Sequence, residues 1–227
     1  GSYRMFVSEY TDRWRILSAV SSDGITWTRE VGYRIDVGGL FNCVHVYGGD
    51  FVQLPNNSYR MYFSCSDQSA TAAGKILSAL SIDGLSWTVE SGVRLPGGAN
   101  NTGLDTVAWG PEIQRRSDGS LRMYYSGANA SIGKIFSAAS TDGLTWVNEA
   151  GVRLDLGSTG DFDSAQVAAP HLLPLSDGTF RLFYTGYDPT TRRVLSARVC
   201  TVGPNNPPTV SAGPDRSIVL PVASINL

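Results

Sequence analysis

Hydrophobic and polar residues along this chain form short alternating runs, and one pattern of runs returns four times. Each copy contains an apolar run around an arginine, which reads YRMFVS, YRMYFS, LRMYYS and FRLFYT in turn. The four arginines, Arg4, Arg60, Arg122 and Arg181, are spaced by 56, 62 and 59 residues. Short apolar runs at this period predict a repeated β-structure with little helix.

A second apolar run follows in every copy and reads RILSAV, KILSAL, KIFSAA and RVLSAR. The first three copies continue with SSDGITW, SIDGLSW or STDGLTW and then a Glu-x-Gly-x-Arg run, which the fourth copy lacks. Asp-Gly between alternating runs predicts a tight hairpin with a type I′ turn. Both central residues of that turn have positive φ, which Asp and Gly tolerate. Asp118-Gly119 and Asp177-Gly178 predict a second hairpin in each copy, where Asn56-Asn57 takes the same place in another copy.

Four strands in about 60 residues are typical of one blade of a propeller. The sequence therefore predicts an all-β fold, a β-propeller of four-stranded antiparallel blades, over residues 1–202. Fourteen strands are expected, which is about 3.5 blades, because the first copy lacks its first strand and the last copy lacks its fourth. We expect the absent strands to lie upstream of Gly1 and the open sheet edge to favour self-association.

Residues 203–227 differ in composition and read GPNNPPTVSAGPDRSIVLPVASINL. Proline and asparagine followed by β-branched residues predict a linker and the first strand of a second β domain. This segment resembles the start of PKD-type immunoglobulin-like modules, which are common in secreted bacterial proteins that degrade polysaccharides. The resemblance implies a secreted, extracellular bacterial protein.

The charge of the chain and the spacing of its cysteines limit which molecules and metal ions it is expected to bind. The 227 residues carry 18 Lys+Arg and 20 Asp+Glu without a basic run, so neither nucleic acid nor an anionic membrane is expected as a partner. No apolar stretch reaches membrane-spanning length, and the first residues do not form a signal peptide. Cys43, Cys65 and Cys200 lack metal-ligand spacing, so we expect no metal or cofactor, buried free thiols and at most one disulfide.

Residues that return in every copy are expected to have structural roles. The Ser-x-Asp-Gly-x-Ser/Thr-Trp box resembles the Asp-box of sialidases but is one residue shorter between Asp and Gly. We expect its aspartate to cap the turn and its tryptophans, Trp27, Trp87 and Trp146, to pack the blades together. The repeated arginines should pair with acids such as the box aspartate or with carbonyl groups.

Chemistry on a propeller is expected where the first strands of the blades begin, because residues there differ between copies. Alignment on the arginines makes Gly49, Pro111 and Pro170 equivalent. The candidates for substrate binding around them are His45, Tyr47, Asp50, Trp109, Gln166 and His171. The candidates for catalysis are Asp105, Asp163 and Glu112.

The strand pattern over residues 1 to about 200, with a proline in the first strand, resembles the five-bladed propellers of glycoside hydrolase families 43, 32 and 62. In that superfamily the catalytic carboxylates lie one or two residues before the proline-like position. The matching residues here are Tyr47-Gly48, Trp109-Gly110 and Ala168-Ala169, none of which is acidic. The resemblance therefore implies the fold, while Asp105 and Asp163 would have to supply acids from the preceding loops.

Two functions follow from these observations. The first is a secreted glycoside hydrolase that acts on plant or microbial polysaccharide, with Asp105, Asp163 and Glu112 as its acids. The second is a non-catalytic propeller that binds carbohydrate or protein, because Tyr47 and Trp109 can stack on sugar rings while paired carboxylates are not expected. Both remain open at this point.

Overall fold

The computed structural model describes residues 1–36, 40–67, 74–98, 106–129, 132–199 and 210–211. These residues form fifteen β-strands and a 3-10 turn at Leu40–Asn42. No helix in this described part is long and apolar enough to cross a membrane. The predicted fold class, an all-β propeller of antiparallel blades, is confirmed.

The strands form four consecutive blades, and within each blade they are antiparallel and in chain order. A parallel bridge between Gly133 and Gln166 joins blades 3 and 4 into one eight-stranded sheet. Blade 1 contains β1 (Tyr3–Tyr10), β2 (Trp14–Ser21) and β3 (Thr28–Arg29). Blade 2 contains β4 (His45–Gln53), β5 (Tyr59–Ser66), β6 (Lys75–Ser81) and β7 (Thr88–Val89). Blade 3 contains β8 (Val107–Arg115), β9 (Leu121–Ala128), β10 (Gly133–Ser140) and β11 (Val147–Asn148). Blade 4 contains β12 (Gln166–Pro174), β13 (Phe180–Tyr187), β14 (Arg192–Val199) and β15 (Val210–Ser211).

Strand β15 is the one element that the strand count from the sequence did not include. It pairs antiparallel with β14, with Val210 opposite Val199, and so stands in the place of a fourth strand. Its sequence lacks the Asp-Gly box that marks this strand in the other copies, which is why the count stopped at fourteen. The other residues of the predicted linker and second domain, 203–209 and 212–227, lie outside the described residues.

Three hydrophobic cores lie between consecutive blades. Successive residues of β5 serve different cores: Phe63 packs between blades 1 and 2, and Tyr62 packs between blades 2 and 3. The middle strands β5 and β9 are therefore buried at almost every position, whereas β1 of the first blade is not. Continuous apolar runs in the sequence reflect strands that are covered on both faces.

Two of the repeated arginines, Arg4 and Arg60, link neighbouring blades. Arg60 binds Glu90 with two hydrogen bonds, Nε to Oε2 at 2.8 Å and Nη2 to Oε1 at 3.0 Å. Its Nη1 donates to the carbonyl oxygen of Asp142 in the next blade at 3.2 Å. Arg4 makes the same contacts with Glu30 and with the Asp83 carbonyl.

Pairing with acids and carbonyls is confirmed for Arg4 and Arg60, and pairing with an acid for Arg122, which binds Glu149. The acid belongs to the Glu-x-Gly-x-Arg run instead of the box. For Arg181 the expectation is wrong, since its Nη1 donates to the hydroxyl of Ser196 in the copy that lacks this run.

The box aspartates cap their turns as expected. Asp23 Oδ1 accepts the N–H groups of Ile25 and Thr26 and the hydroxyl of Ser21, each at 2.8 Å. These hydrogen bonds hold the pKa of Asp23 well below its usual range, and the same contacts lower the pKa of Asp83 to about 2. A fixed, ionised cap in each of the three copies that contain the box supports a structural role for it.

The box tryptophans pack against the preceding blade. The Trp146 ring meets Tyr62 of blade 2 edge-on, with centroids 5.4 Å apart. Trp87 meets Phe6 of blade 1 in the same way at 5.8 Å. Each of these tryptophans thus closes the outer side of a core between two blades.

The type I′ turns expected at the Asp-Gly pairs are wrong. Gly119 has φ of 85°, but Asp118 is not in the left-handed region, and the Gly119 N–H donates to the carbonyl of Arg116 at 3.0 Å. This is a three-residue loop, a type I turn followed by a left-handed glycine. The Asp118 carboxylate accepts the Ser120 N–H at 2.9 Å, which favours this alternative.

The free thiols expected from the cysteine spacing are wrong for two of the three residues. Cys43 and Cys65 form a disulfide with Cα atoms 5.5 Å apart. Cys43 precedes β4 and lies opposite the end of β5, where the Val44 N–H donates to the Ser66 carbonyl at 2.8 Å. Strand pairing brings the cysteines together, and sequence spacing alone does not reveal it. Cys200 lies outside the described residues.

Candidate functional site

The first strand of each of blades 2, 3 and 4 contains a β-bulge. We call β4, β8 and β12 the inner strands; they pack side by side, β4 on β8 and β8 on β12. The pairing register shifts at Tyr47/Gly49, Trp109/Glu112 and Ala168/His171. One residue in each bulge has a left-handed backbone: Gly48, Gly110 and Ala169, with φ of 49°, 61° and 50°.

Each bulge is tied to the preceding blade by a serine. The N–H groups of Gly48, Gly110 and Ala169 donate to the hydroxyl oxygens of Ser8, Ser64 and Ser126, each at 2.8 Å. These serines are the final residues of the repeated arginine runs in the first three copies. The bulges are therefore fixed features that re-aim the side chains that follow them.

Three side chains directly beyond the bulges approach each other, and we call Asp50, Glu112 and His171 the axial trio. They are equivalent because they pair with Tyr62, Tyr124 and Phe183, which follow the repeated arginines by two residues. The three inner strands thus contribute two acids and one imidazole to the same level of the propeller.

Each acid of the trio reaches the next inner strand. Asp50 Oδ2 accepts the N–H of Ile113 at 2.7 Å. Glu112 Oε1 accepts the N–H of Leu172 at 2.8 Å, and Glu112 Oε2 lies 3.2 Å from Nδ1 of His171. Glu112 is buried, whereas His171 is exposed.

The electrostatics of the trio favour a bound proton. Burial raises the pKa of Glu112 to about 7, and the neighbouring Asp50 carboxylate adds to the rise because two like charges repel. Burial also raises the pKa of Asp50. Glu112 can therefore keep a proton near neutral pH and donate it, while an ionised Asp50 beside it can act as the carboxylate.

Over the described ranges of the chain, no three His, Cys, Asp or Glu side chains are grouped so that they could hold one ion. The chemistry that the trio offers is proton transfer and hydrogen bonding.

The shift in strand register at each bulge explains why Asp50 and Glu112 do not match the positions of the carboxylates in the family pattern. The family pattern places carboxylates before the proline-like positions, and no pair of acids was expected on the inner strands. That expectation is wrong: Asp50 and Glu112 come directly after Gly49 and Pro111, on adjacent inner strands. A bulge reverses which side chains face inward, so counting from a proline does not give the direction of a side chain.

The other predicted binding residues lie on the inner strands at or before the bulges. His45 begins β4, and its Nδ1 accepts the backbone N–H of Trp14 at 3.3 Å. Tyr47 is largely covered, and burial raises its pKa. Trp109 is half-buried at the start of its bulge. The Gln166 side chain lies over Gly133, where a Cβ atom would come within 2.7 Å of it.

Asp163, a predicted catalytic acid, is buried in the loop before β12. Its Oδ2 accepts the hydroxyl of Tyr184 at 2.7 Å, and its carbonyl accepts the N–H of Gly157 at 3.4 Å. Neither partner belongs to the axial trio. Asp105, the other acid predicted on a loop, lies outside the described residues.

Two aromatic residues that the sequence analysis missed stand beside His45. Tyr10 ends β1 and Trp14 begins β2, with ring centroids 5.3 Å apart, and the Tyr10 ring lies 6.4 Å from that of His45. The signal was present in YTDRW, because the hairpins at this place in the other copies carry no such aromatic pair.

Neither a family model nor a curated protein matches this sequence. Among solved structures, a thermostable family-43 glycoside hydrolase is 17% identical with a TM-score of 0.73, and the match covers 99% of this chain and 75% of that one. An endo-arabinase from Bacteroides thetaiotaomicron is 17% identical with a TM-score of 0.70, over 89% of this chain and 72% of that one. The sucrose-6-phosphate hydrolase from Lactobacillus gasseri is 17% identical with a TM-score of 0.71, over 89% of this chain but 43% of its own.

These likenesses establish a shared fold, the β-propeller of glycoside hydrolases. The expected resemblance to such propellers is therefore confirmed at the level of fold. The five-blade count and the PKD-like domain stay predictions.

Proposed function

We propose that this propeller acts on carbohydrate as a glycoside hydrolase, with Glu112 as the proton donor and Asp50 as the second carboxyl group. The observation that carries the proposal is the pair of desolvated acids on adjacent inner strands, one of which has its pKa raised to about 7. The fold shared with glycoside hydrolases supports the same reaction class.

Glycoside hydrolysis needs a protonated acid at the leaving oxygen and a carboxylate that acts as base or nucleophile. Glu112 is the better acid because burial and the Asp50 charge both favour its protonated form. Asp50 supplies the carboxylate. Asp163 and Asp105, the two predicted loop acids, are proposed only as supporting groups, since the Asp163 carboxylate is held by Tyr184.

The proposed substrate is a plant or microbial polysaccharide, bound along the inner strands by His45, Tyr47 and Trp109. Aromatic rings beside hydrogen-bonding groups suit sugars, which present apolar C–H faces and polar edges. The proposed location is extracellular. The disulfide between Cys43 and Cys65 supports it, because such bonds persist in oxidising compartments.

A second candidate function is carbohydrate binding without hydrolysis. The observation in its favour is that the oxygens of both acids already have partners within the protein. Asp50 Oδ1 accepts the N–H of Phe51 at 2.8 Å in addition to the contact with Ile113. Acids used in this way could serve only to join the inner strands.

A hydrolysis assay on soluble arabinan, xylan and fructan separates the two functions. We expect the parent to release reducing sugar and Glu112→Gln to lose about 100-fold or more in kcat, because the amide cannot donate its proton. Asp118→Asn, in the exposed turn between β8 and β9, makes the same acid-to-amide change away from the axial trio and should keep most of the activity. Loss of turnover in Asp163→Asn with an active Glu112→Gln would contradict the assignment. Binding of a polysaccharide without any hydrolysis would favour the second function.

A further inference from the structure

The hairpin between β1 and β2 carries an exposed aromatic pair beside the start of the first inner strand. Tyr10 is 57% exposed and Trp14 is 39% exposed, although large aromatic side chains are usually covered. Their rings are inclined by 61° and form an open corner instead of a flat stack. We call Tyr10, Trp14 and His45 the rim platform.

A hydrogen bond between Trp14 and His45 fixes the rim platform to the first inner strand. The Trp14 backbone N–H donates to Nδ1 of His45 at 3.3 Å, which links the hairpin to β4. Because Nδ1 accepts this hydrogen bond, a neutral His45 carries its proton on Nε2. The platform therefore combines two ring faces with a hydrogen-bond donor of fixed position.

Charges around the platform cancel one another. Arg13 pairs with Asp36 at 3.0 Å, and Arg15 pairs with both Asp12 and Asp36. Two cations and two anions leave no net charge at this end of blade 1. The surface is thus suited to an uncharged ligand with hydroxyl groups and apolar faces, and it offers no excess charge to an anionic ligand.

The platform and the axial trio lie at two places along the same strand. His45 begins β4, and Asp50 follows five residues later, which is about 15 Å along a strand. Tyr47 lies between them. A ligand that touches both ends has to be an oligosaccharide, because a single sugar ring is far shorter than this distance.

We propose that the rim platform is a binding site for a distal unit of an uncharged oligosaccharide whose other end reaches the axial trio. This inference rests on the proposed function for the ligand class. It adds that the natural substrate is a chain of several sugar residues, that Tyr10 and Trp14 of the first blade bind it, and that His45 Nε2 donates to one of its hydroxyl groups.

Affinity electrophoresis of the full chain in native gels that contain soluble arabinan, xylan or inulin tests the platform. We expect retardation of the parent in at least one gel and about tenfold weaker binding for Trp14→Ala and Tyr10→Ala. Trp14→Phe keeps a ring and should retain most of the affinity. Tyr3→Ala is the matched control, because Tyr3 is 59% exposed at the opposite end of β1 and should not affect binding.

The outcomes separate this inference from the proposed hydrolase activity. If retardation depends on Trp14 but no polysaccharide is cleaved, the platform stands and the hydrolase proposal fails. If polysaccharide is cleaved and Trp14→Ala leaves both KM and retardation unchanged, the platform is wrong and the hydrolase proposal stands. Absence of retardation of the parent in all three gels overturns the platform. So does a change in light scattering of Trp14→Ala without a change in retardation, since the rings would then form a protein contact.

Discussion

Asp50 and Glu112 occupy the same position in consecutive blades, and each accepts a backbone N–H from the inner strand that follows. The distances are 2.7 Å from Ile113 to Asp50 and 2.8 Å from Leu172 to Glu112. This repeated contact joins three inner strands and places Asp50 close enough to Glu112 for its charge to raise the pKa of Glu112. The same pair therefore contributes to the packing of the blades and to the chemistry of the site.

The raised pKa of Glu112 predicts a loss of stability as the pH rises. Its ordinary value is 4.5 and its value in the fold is about 7, so the folded state binds the proton more tightly than the unfolded chain does. The stabilising contribution is complete below about pH 4.5 and is lost as the pH rises through 7. Ionisation of Glu112 should cost on the order of 1–3 kcal/mol of unfolding free energy.

Urea unfolding of the parent and of Glu112→Gln across this range measures the effect. The amide oxygen of glutamine can still accept the Leu172 N–H, so the variant keeps the strand contact and loses the titration. We expect a flatter pH dependence for the variant between about pH 5 and pH 8. Parallel curves for the two proteins would show that Glu112 is ionised in the fold at the lower pH.

The repeats made most of the fold predictable from the sequence. An arginine recurs at the place of Arg60 because the blades use it for similar contacts: Arg4 and Arg60 bind an acid and the carbonyl of the next box, and Arg122 binds the equivalent acid, Glu149. The apolar run around Arg60 is continuous because its strand is covered on both sides. A residue that every blade needs occurs at the same position of each sequence repeat, so comparison of the repeats reveals it.

The site was less predictable because it depends on local irregularities. The bulges at Gly48 and Gly110 turn Asp50 and Glu112 toward the neighbouring strands, and no residue type alone specifies a bulge. Asp50 and Glu112 were each candidates from the sequence, but their proximity on adjacent inner strands was not predicted. Likewise, Cys43 and Cys65 meet through the pairing of β4 with β5 and not through a recognisable spacing.

The arginines of the first two blades predict a graded loss of stability. Arg60 and Glu90 are 10% and 14% exposed, whereas Arg4 and Glu30 are 30% and 18% exposed. Removal of Arg60 leaves a buried carboxylate without its cation, so Arg60→Ala should cost about 3 kcal/mol. Arg4→Ala, at the equivalent position, should cost about 1 kcal/mol because water reaches its pair. Chemical denaturation of both variants checks the order, and equal losses would contradict it.

The disulfide predicts a specific sensitivity to reductant. Cys43 and Cys65 are 22 residues apart, and a cross-link that closes a loop of this size stabilises by about 3 kcal/mol, mainly by restricting the unfolded chain. Reductant should therefore lower the Tm of the parent but leave a Cys43→Ala, Cys65→Ala double variant unchanged. In unfolded, unreduced parent one of the three cysteines should react with a thiol reagent, and all three should react after reduction. Three reactive thiols before reduction would exclude the bond, and with it the support that the disulfide gives to an extracellular location.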